Sequence, residues 1–517
     1  MTGKKNIVIC SDGTGNTAIK GRGTNVFKMF EAVDIYGHWT DHTLIPQIAF
    51  YDDGVGTERM KVLKVICGMF GLGLSRNVKE LYAHIARTYN PGDRIFLFGF
   101  SRGAFTVRTL AGFIATCGIV DRDRCHTDAD LRDKVAEAYS EYRRKYRTCF
   151  GSRFRKPYST EKAEDFRKGH AVTHEEHAPE GKVEIEFIGV WDTVDAVGLP
   201  FDKLADWIND YIYPFKFPDL TLSPTVRKAC HAISIDDERH TFHPVMWNET
   251  GESGDRIDQV WFPGVHSNVG GGYPKQGMSL VALYWMMMKA EASRLRFVNC
   301  DWELIRDHQN CSDKLYDSRT GFAIYYRYKP RDIGDICGKN HVARPRIHMS
   351  AIERIAQGTE GYAPGNIPAE AEIVATEASP QTLGEIADEI RGGLGRDASL
   401  LERVKPWVLI RKYSHYLFFI FSFVAVYFAL QEEIGKDGIL GTIRKLGSMG
   451  DILKLGKSLV LRPYLLLVIG FFYAIGLVAR KSMESAFSGF WHDLRPRVRD
   501  LLFKGIPTIP APSEKKP

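Results

Sequence analysis

The stretch RIFLFGFSRGAF, residues 94–105, constrains this chain more than any other. An apolar run enters Gly99, Ser101 and Gly103, and a second apolar run leaves them. A strand that turns sharply into a helix needs small residues around the turn, because side chains there collide with the neighbouring strand and helix. The pattern reads as strand, elbow, helix, with Ser101 at the apex. Ser101 is then either a nucleophile on a strained turn or a small residue where a strand packs against a helix.

The surrounding chain supplies the sheet that such an elbow needs. NIVICSDG (6–13) reads as a first strand, LIPQIAFYDDGVGT follows from 44, and NVKELYAHIARTY from 77 places Val78, Leu81, Ile85 and Tyr89 at helical spacing. TVRTLAGFIATCG reads as a helix pressed on the sheet, and VEIEFIGVWD from 183 and QVWFPGVH from 259 as later strands. Short apolar runs alternating with helices predict an α/β fold, a mainly parallel sheet with helices on both faces. Between 120 and 180 lies a polar insertion containing EYRRKYRTCFGSRFRK, a candidate lid or a solvated helical surface.

A serine is a weak nucleophile until a histidine takes its proton, and the imidazolium then needs a buried carboxylate. In an α/β-hydrolase the chain order is Ser, acid, His. Asp192 at the end of VEIEFIGVWD and His266 at the end of QVWFPGVH fit that order, each delivered by a strand to the same sheet edge. Asp195, Asp236 and Asp237 are the competing acids, and Asp192 is preferred for its strand-end position. A buried structural role is the alternative for His266, whose following glycines leave room for a tight turn. The loop CSDGTGNT (10–17) turns on Gly13 and Gly15. The N–H groups of Gly13 and Thr14, with that of Arg102, are expected to form an oxyanion hole, with Asp12 bonding across the loop to fix its shape. An aspartate-nucleophile phosphatase is excluded because Cys10 stands where the nucleophile belongs, and a phosphate-binding loop lacks its GKS or GKT.

Composition bounds the rest. With 44% hydrophobic residues the chain can build one large core plus an appendage, and 69 basic against 63 acidic residues is too balanced for a nucleic-acid binder. Nine cysteines scattered from Cys10 to Cys337 without a CxxC pair, and an N-terminus without an apolar leader, lead to an expectation of reduced thiols, no metal or cofactor, and a catalytic domain made in the cytosol.

SDGTGNT, GFSRGAF, GVWDTVDAVG, SIDDERHTFHPVMW, WFPGVHSNVGGGY, IHMSAIERI and YAPGNIP together resemble the successive motifs of the type VI secretion lipase effector catalytic domain, a large α/β-hydrolase family once of unknown function. The resemblance covers roughly residues 4–368. It implies a serine esterase or phospholipase, with Ser101, Asp192 and His266 falling on the family's triad motifs and Gly99 and Gly103 on its elbow. One departure stands out: the family usually reads HSDVGGGY, whereas this chain has Asn268. Asn268 is expected to serve as a turn residue, as asparagine can replace aspartate in a cap. The resemblance does not imply export.

Beyond the motifs the chain changes in kind. Residues 1–368 read as the catalytic domain and 369–405 as an exposed connector. Residues 406–481 read as a membrane hairpin built on YSHYLFFIFSFVAVYFALQ (413–431) and PYLLLVIGFFYAIGLVA (463–479), and 482–517 as a tail. Both runs lack Asp, Glu, Lys and Arg and, counted with their flanks, are long enough to span a bilayer; a pair of buried core helices is the alternative. Trp407, Tyr413, Tyr416 and Tyr464 lie near the ends, where an interface favours them. Six Lys and Arg in the connecting loop 432–462 against ten in the flanks place both chain ends, and the catalytic domain, on the cytoplasmic side. A chain cut near residue 395 is expected to keep its own core. The expected function is a membrane-anchored serine hydrolase acting on phospholipids or related lipids; a membrane-anchored interaction module that keeps the fold is the alternative.

Overall fold

The computed structural model describes residues 4–13, 23–53, 69–145, 161–172, 183–195, 220–252, 254–376, 380–396, 399–445 and 457–502. Among the described residues eight strands form one sheet in which every neighbouring pair is parallel. They are β1 (Asn6–Ser11), β2 (Gln47–Asp52), β3 (Arg94–Phe100), β4 (Ile185–Trp191), β5 (Val226–Ser234), β6 (Ile257–Phe262), β7 (Arg346–His348) and β8 (Glu372–Val374). The spatial order is β2-β1-β3-β4-β5-β6-β7-β8, so the direction of winding reverses between β1 and β3. Sheets of this kind bind ligands outside the carboxyl ends of the strands at such a reversal.

The helices that matter here are α1 (Asn25–Ala32), α2 (Met69–Thr88), α3 (Arg102–Cys117), α4 (Asp128–Lys145), α5 (Glu161–His170), α6 (His266–Gly270), α7 (Gly277–Ala292), α8 (Asn299–His308), α9 (Met349–Gln357), α10 (Pro380–Arg396), α11 (Ser399–Lys445) and α12 (Pro463–Leu502). A strand's side chains alternate between faces, so a sheet covered on both sides needs apolar residues at consecutive positions. Ile7, Ile9, Ile95 and Leu97 point into one core with Val107, Leu110 and Phe113 of α3, whereas Val8, Cys10, Phe96 and Phe98 point into the opposite one with Leu283 and Met286 of α7. The continuous apolar runs of β1 and β3 follow from this double burial.

Several expectations change. VRKACHAIS forms β5, inserted between β4 and β6, although Arg227, Lys228 and His231 interrupt its apolar pattern. β6 ends at Phe262, and His266 starts the short helix α6 rather than ending a strand. In the insertion, Leu131, Val135, Ala138, Tyr139 and Tyr142 of α4 lie in the core beside Phe113, the Phe113 and Tyr142 rings 5.5 Å apart; residues 146–160 and 173–182 lie outside the described residues.

The C-terminal third is the larger correction. Residues 369–405 are no exposed connector: they carry β8 at the edge of the sheet and α10, whose Ile386 and Ile390 are buried. Nor is 482–517 a separate tail, because α12 continues unbroken to Leu502 and packs Phe490, Trp491, Leu494 and Val498 into a third core with Ile233, Trp261 and Ile352. The Trp491 indole N–H donates to the Pro364 carbonyl at 2.8 Å. Composition hid both, since α10 is rich in Gly and charged residues and only its inner stripe is apolar. Arg403–Gln431 and Pro463–Leu502 each contain an 18-residue stretch apolar enough to cross a membrane, with mean hydropathies of 1.6 and 1.8. The first half of α12 exposes Leu467, Phe471 and Val478, each more than half accessible, while its second half is core. The stacked rings of Phe421 and Phe472, 5.7 Å apart, hold α11 against α12.

Candidate active site

The elbow is built by close approach. Ser101 has φ +58° and ψ −121°, a conformation an L-residue rarely adopts, so the surrounding structure must over-determine it. Its N–H donates to Trp191 O at the end of β4 and its carbonyl accepts from Phe105 N at the start of α3. A Cβ at Gly103 would stand 2.1 Å from Ser11 O, and one at Gly99 would stand 2.6 Å from Gly103 O. Both glycines are therefore required by contact, and β1 can lie against the first turn of α3 only because they are there.

Register brings the rest to this edge. Phe100 of β3 pairs with Trp191, Trp191 with Ala232, and Ser234 with Phe262, so the residues just after β3, β4 and β6 emerge side by side. Ser101 Oγ lies 2.9 Å from His266 Nε2, and His266 Nδ1 lies 2.6 Å from Asp192 Oδ2. All three side chains are buried. The imidazole packs between Phe100, 4.6 Å away centroid to centroid, and Phe242, 5.0 Å away edge-on.

Asp192 is fully buried and takes the positive φ of +39° that turns its carboxylate back along the edge. Ser234 N donates to Oδ1 at 2.9 Å. Arg331, equally buried, forks onto both oxygens, Nη1 to Oδ1 at 2.6 Å and Nη2 to Oδ2 at 2.9 Å. Burial acts to raise the Asp192 carboxyl, but the Arg331 charge and the bonds from His266 and Arg331 outweigh it and hold the group ionised well below the usual range. Burial lowers His266, against the opposing pull of Asp192, so the imidazole is neutral at pH 7 and can accept a proton.

The competing acids do other work. Asp237 binds Arg239 through both oxygens, at 3.0 and 2.7 Å, and accepts His266 N–H at 3.2 Å, so it positions the backbone of α6. Asp236, pushed up to about 7 by burial, accepts from Gly264 N and Tyr362 OH. Neither is bonded to the imidazole ring. Asn268 uses its amide in both senses: Oδ1 accepts from Val265 N and Tyr316 N, each at 3.3 Å, while Nδ2 donates to Lys314 O at 3.0 Å. It joins the α6 turn to the 314–316 loop.

The β1 loop lies alongside. Asp12 accepts from Thr24 OH, Tyr51 OH and Gly13 N, which pins the loop to α1 and β2. Gly13 N–H is thus spent on Asp12 at 2.6 Å, Arg102 N stands at the first turn of α3, and Thr14 lies outside the described residues. Among the described residues no group of three or more His, Cys, Asp and Glu side chains can hold a metal ion.

Sequence reasoning missed Arg331, Ser234 and Arg239. Arg331 sits in YRYKPRDIG, an ordinary charged loop, and only the fold carries it to Asp192.

The family model described as "T6SS, Phospholipase effector Tle1-like, catalytic domain" matches residues 5–289, more than half of the chain and all of Ser101, Asp192 and His266. The chain belongs to this family. Outside the Tle1-like match lie β7, β8 and both apolar helices. An uncharacterized protein of Saccharomyces cerevisiae is 27% identical over 251 residues, 46% of this chain and 32% of its own length, so the chain spans about a third of that curated relative. A crystal structure of an uncharacterized protein from Pseudomonas aeruginosa covers 98% of this chain and 68% of its own at 15% identity, with a TM-score of 0.34.

Proposed function

We propose that the protein is a membrane-anchored serine hydrolase that cleaves acyl ester bonds of phospholipids or related lipids on an α/β-hydrolase scaffold. The observation that carries the reading is the continuous relay from Ser101 Oγ through His266 to Asp192, with the serine on a positive-φ elbow. Membership of a family of phospholipase effector domains supplies the substrate class.

His266 Nε2 takes the Ser101 proton as Oγ attacks the ester carbonyl, and Asp192 stabilises the imidazolium so formed. The oxyanion that develops meets the Arg102 N–H at the head of α3. The imidazolium returns its proton to the leaving alcohol, giving an acyl-serine. Water, deprotonated by His266, attacks that ester and releases the acid. The catalytic unit is residues 1–368 together with the strand and helix that follow and the second half of α12, which packs into the same core. Residues 413–431 and 463–479 form a hairpin in the bilayer, with both chain ends and the hydrolase on the cytoplasmic face. The lipid-sized apolar faces left exposed on α11 and α12 support this.

The test is labelling by a serine-directed phosphonate together with hydrolysis of a panel of lipid classes, each against Ser101→Ala. Labelling and hydrolysis that vanish in the variant are expected. An unlabelled parent that still binds bilayers would instead identify an interaction module.

A further inference from the structure

Where the two apolar helices meet the hydrolase, they enclose a cavity of about 220 Å³ against the 317–324 loop. A water takes about 30 Å³, so the cavity has room for a group the size of a phosphodiester and its first carbons. Its lining changes along its length. At the end nearer the hydrolase stand Arg319, Arg411 and Arg480; further along the helices stand Phe418, Phe472 and Leu477. Arg411, Ser414, His415 and Phe418 lie on one face of α11, while Phe472, Tyr473, Gly476, Leu477 and Arg480 lie on the facing side of α12. Residues 472 and 480 are two turns apart, so the passage from apolar to cationic takes about 12 Å.

The three cations are not equivalent. Arg411 forks onto Glu238 at 3.0 and 2.6 Å, and Arg480 binds Asp317 and Glu484 at 2.5 and 2.7 Å. Arg319 makes no ion pair among the described residues. Its Nη2 donates to the carbonyls of Ile324 and Tyr326 and to His415 Nδ1, and its buried Nε has no partner among the described residues. A half-buried guanidinium with an unused donor costs stability unless an anion completes it. Glu238, Asp317 and Glu484 balance Arg411 and Arg480, so Arg319 is the cation of this lining left without an ion pair among the described residues. Basic pockets between membrane helices at the cytoplasmic surface hold anionic headgroups in this way.

We infer that this cavity binds the phosphate headgroup of an anionic membrane phospholipid, at a site separate from Ser101, with Arg319 as its principal ligand and the acyl chains along Phe418, Phe472 and Leu477. The inference rests on the hairpin being in the bilayer. It links the anchor to the active site: Tyr326, whose carbonyl Arg319 holds, stacks edge-on against Phe242, and Phe242 packs against His266.

The test uses full-length Ser101→Ala protein, which cannot consume the lipid, in phosphatidylcholine nanodiscs titrated with phosphatidylglycerol, with retained lipid read by native mass spectrometry. Saturable retention of phosphatidylglycerol over phosphatidylcholine is expected. It should weaken about tenfold or more in Arg319→Gln, the loss of one charged hydrogen bond, and fall with added salt. Gly476→Leu, whose new side chain enters the cavity where a Cβ already meets Ser414 Oγ at 3.4 Å, should weaken retention without touching a charge. Equal retention of the two lipids, or unchanged retention in Gly476→Leu, overturns the site, as does displacement by inorganic phosphate at concentrations comparable with the lipid. With Ser101 intact, the parent should hydrolyse a short soluble ester. An inactive parent that retains lipid therefore sinks the hydrolase reading alone, and an active parent with indifferent lipid retention sinks this one alone.

Discussion

Arg331→Met removes the guanidinium that neutralises Asp192 and leaves a carboxylate at 0% exposure with only the Ser234 and His266 donors. Breaking one side of a buried ion pair costs about 3–5 kcal/mol, because the remaining charge stays desolvated. Spread over a folded unit of about 400 residues at about 2 cal/mol/K per residue, a loss of about 4 kcal/mol lowers Tm by about 5 °C. The pH dependence follows from the sign of the shift. In the parent the Asp192 carboxyl is depressed, so its stabilising contribution is complete above an unfolded pKa of about 4 and is lost as pH falls through the folded value. Without Arg331 the Asp192 charge is less neutralised and pulls harder on the His266 proton, so His266 protonates at higher pH and the acid limb of kcat/KM moves up by about one pH unit or more. Scanning fluorimetry in detergent and a pH–rate profile on a soluble ester read the two effects. In Asp192→Asn/Arg331→Met neither partner is charged, so most of the lost Tm should return while activity stays low. An unchanged Tm and acid limb in Arg331→Met, or a double variant less stable than the single one, would refute the account.

Ser101→Ala and His266→Ala should each lower kcat by about 10⁴ or more on a soluble ester, and the double variant should be barely worse, since the two act as one unit; additive losses would contradict the relay. Asn268→Asp should leave kcat within a few-fold yet cost about 1–2 kcal/mol in chemical denaturation, because the bond to Lys314 O is lost and a carboxylate faces that carbonyl; a gain of two orders of magnitude would make the missing carboxylate catalytic. Truncation near residue 395 strips Phe490, Trp491, Leu494 and Val498 from the third core, about 1.5–3 kcal/mol each and together comparable with a whole protein's stability. The cut chain should aggregate, and a cut chain that melts like the parent would show α12 to be dispensable. Burial lowers His266, so its contribution is complete above an unfolded pKa of about 6.5 and is lost as pH falls through the lower folded value; kcat/KM should fall only below pH 6.5, and an acid limb above that value would oppose the assignment.

The elbow was legible because its requirements are local. Two glycines, a serine and flanking apolar runs state a strand, a tight turn and a helix within a dozen residues, and the contacts at Gly99 and Gly103 are the physical demand behind that spelling. Asp192 and His266 were legible for a related reason: parallel strands deliver their following residues to one edge, so order along the chain becomes adjacency in space. β5 was not legible, because its charged and histidine positions break the apolar run that identifies a buried strand.

By itself, then, the sequence determined the strand-and-helix alternation, the serine elbow, the order of its partners and the two membrane-length apolar runs, all of which follow from periodicity and short-range sterics. Only the tertiary structure decided which groups make the partners work. Arg331 reaches Asp192 across 139 positions of chain, and its pairing depends on where β4, β5 and the 331 loop meet rather than on any neighbour in sequence. The second half of α12 belongs to the core for the same reason: Trp491 and Val498 resemble any helix's apolar stripe until β7, β8, α9 and α10 supply the surface that buries them. Burial and charge pairing are properties of a place, and a place exists only once distant segments have packed.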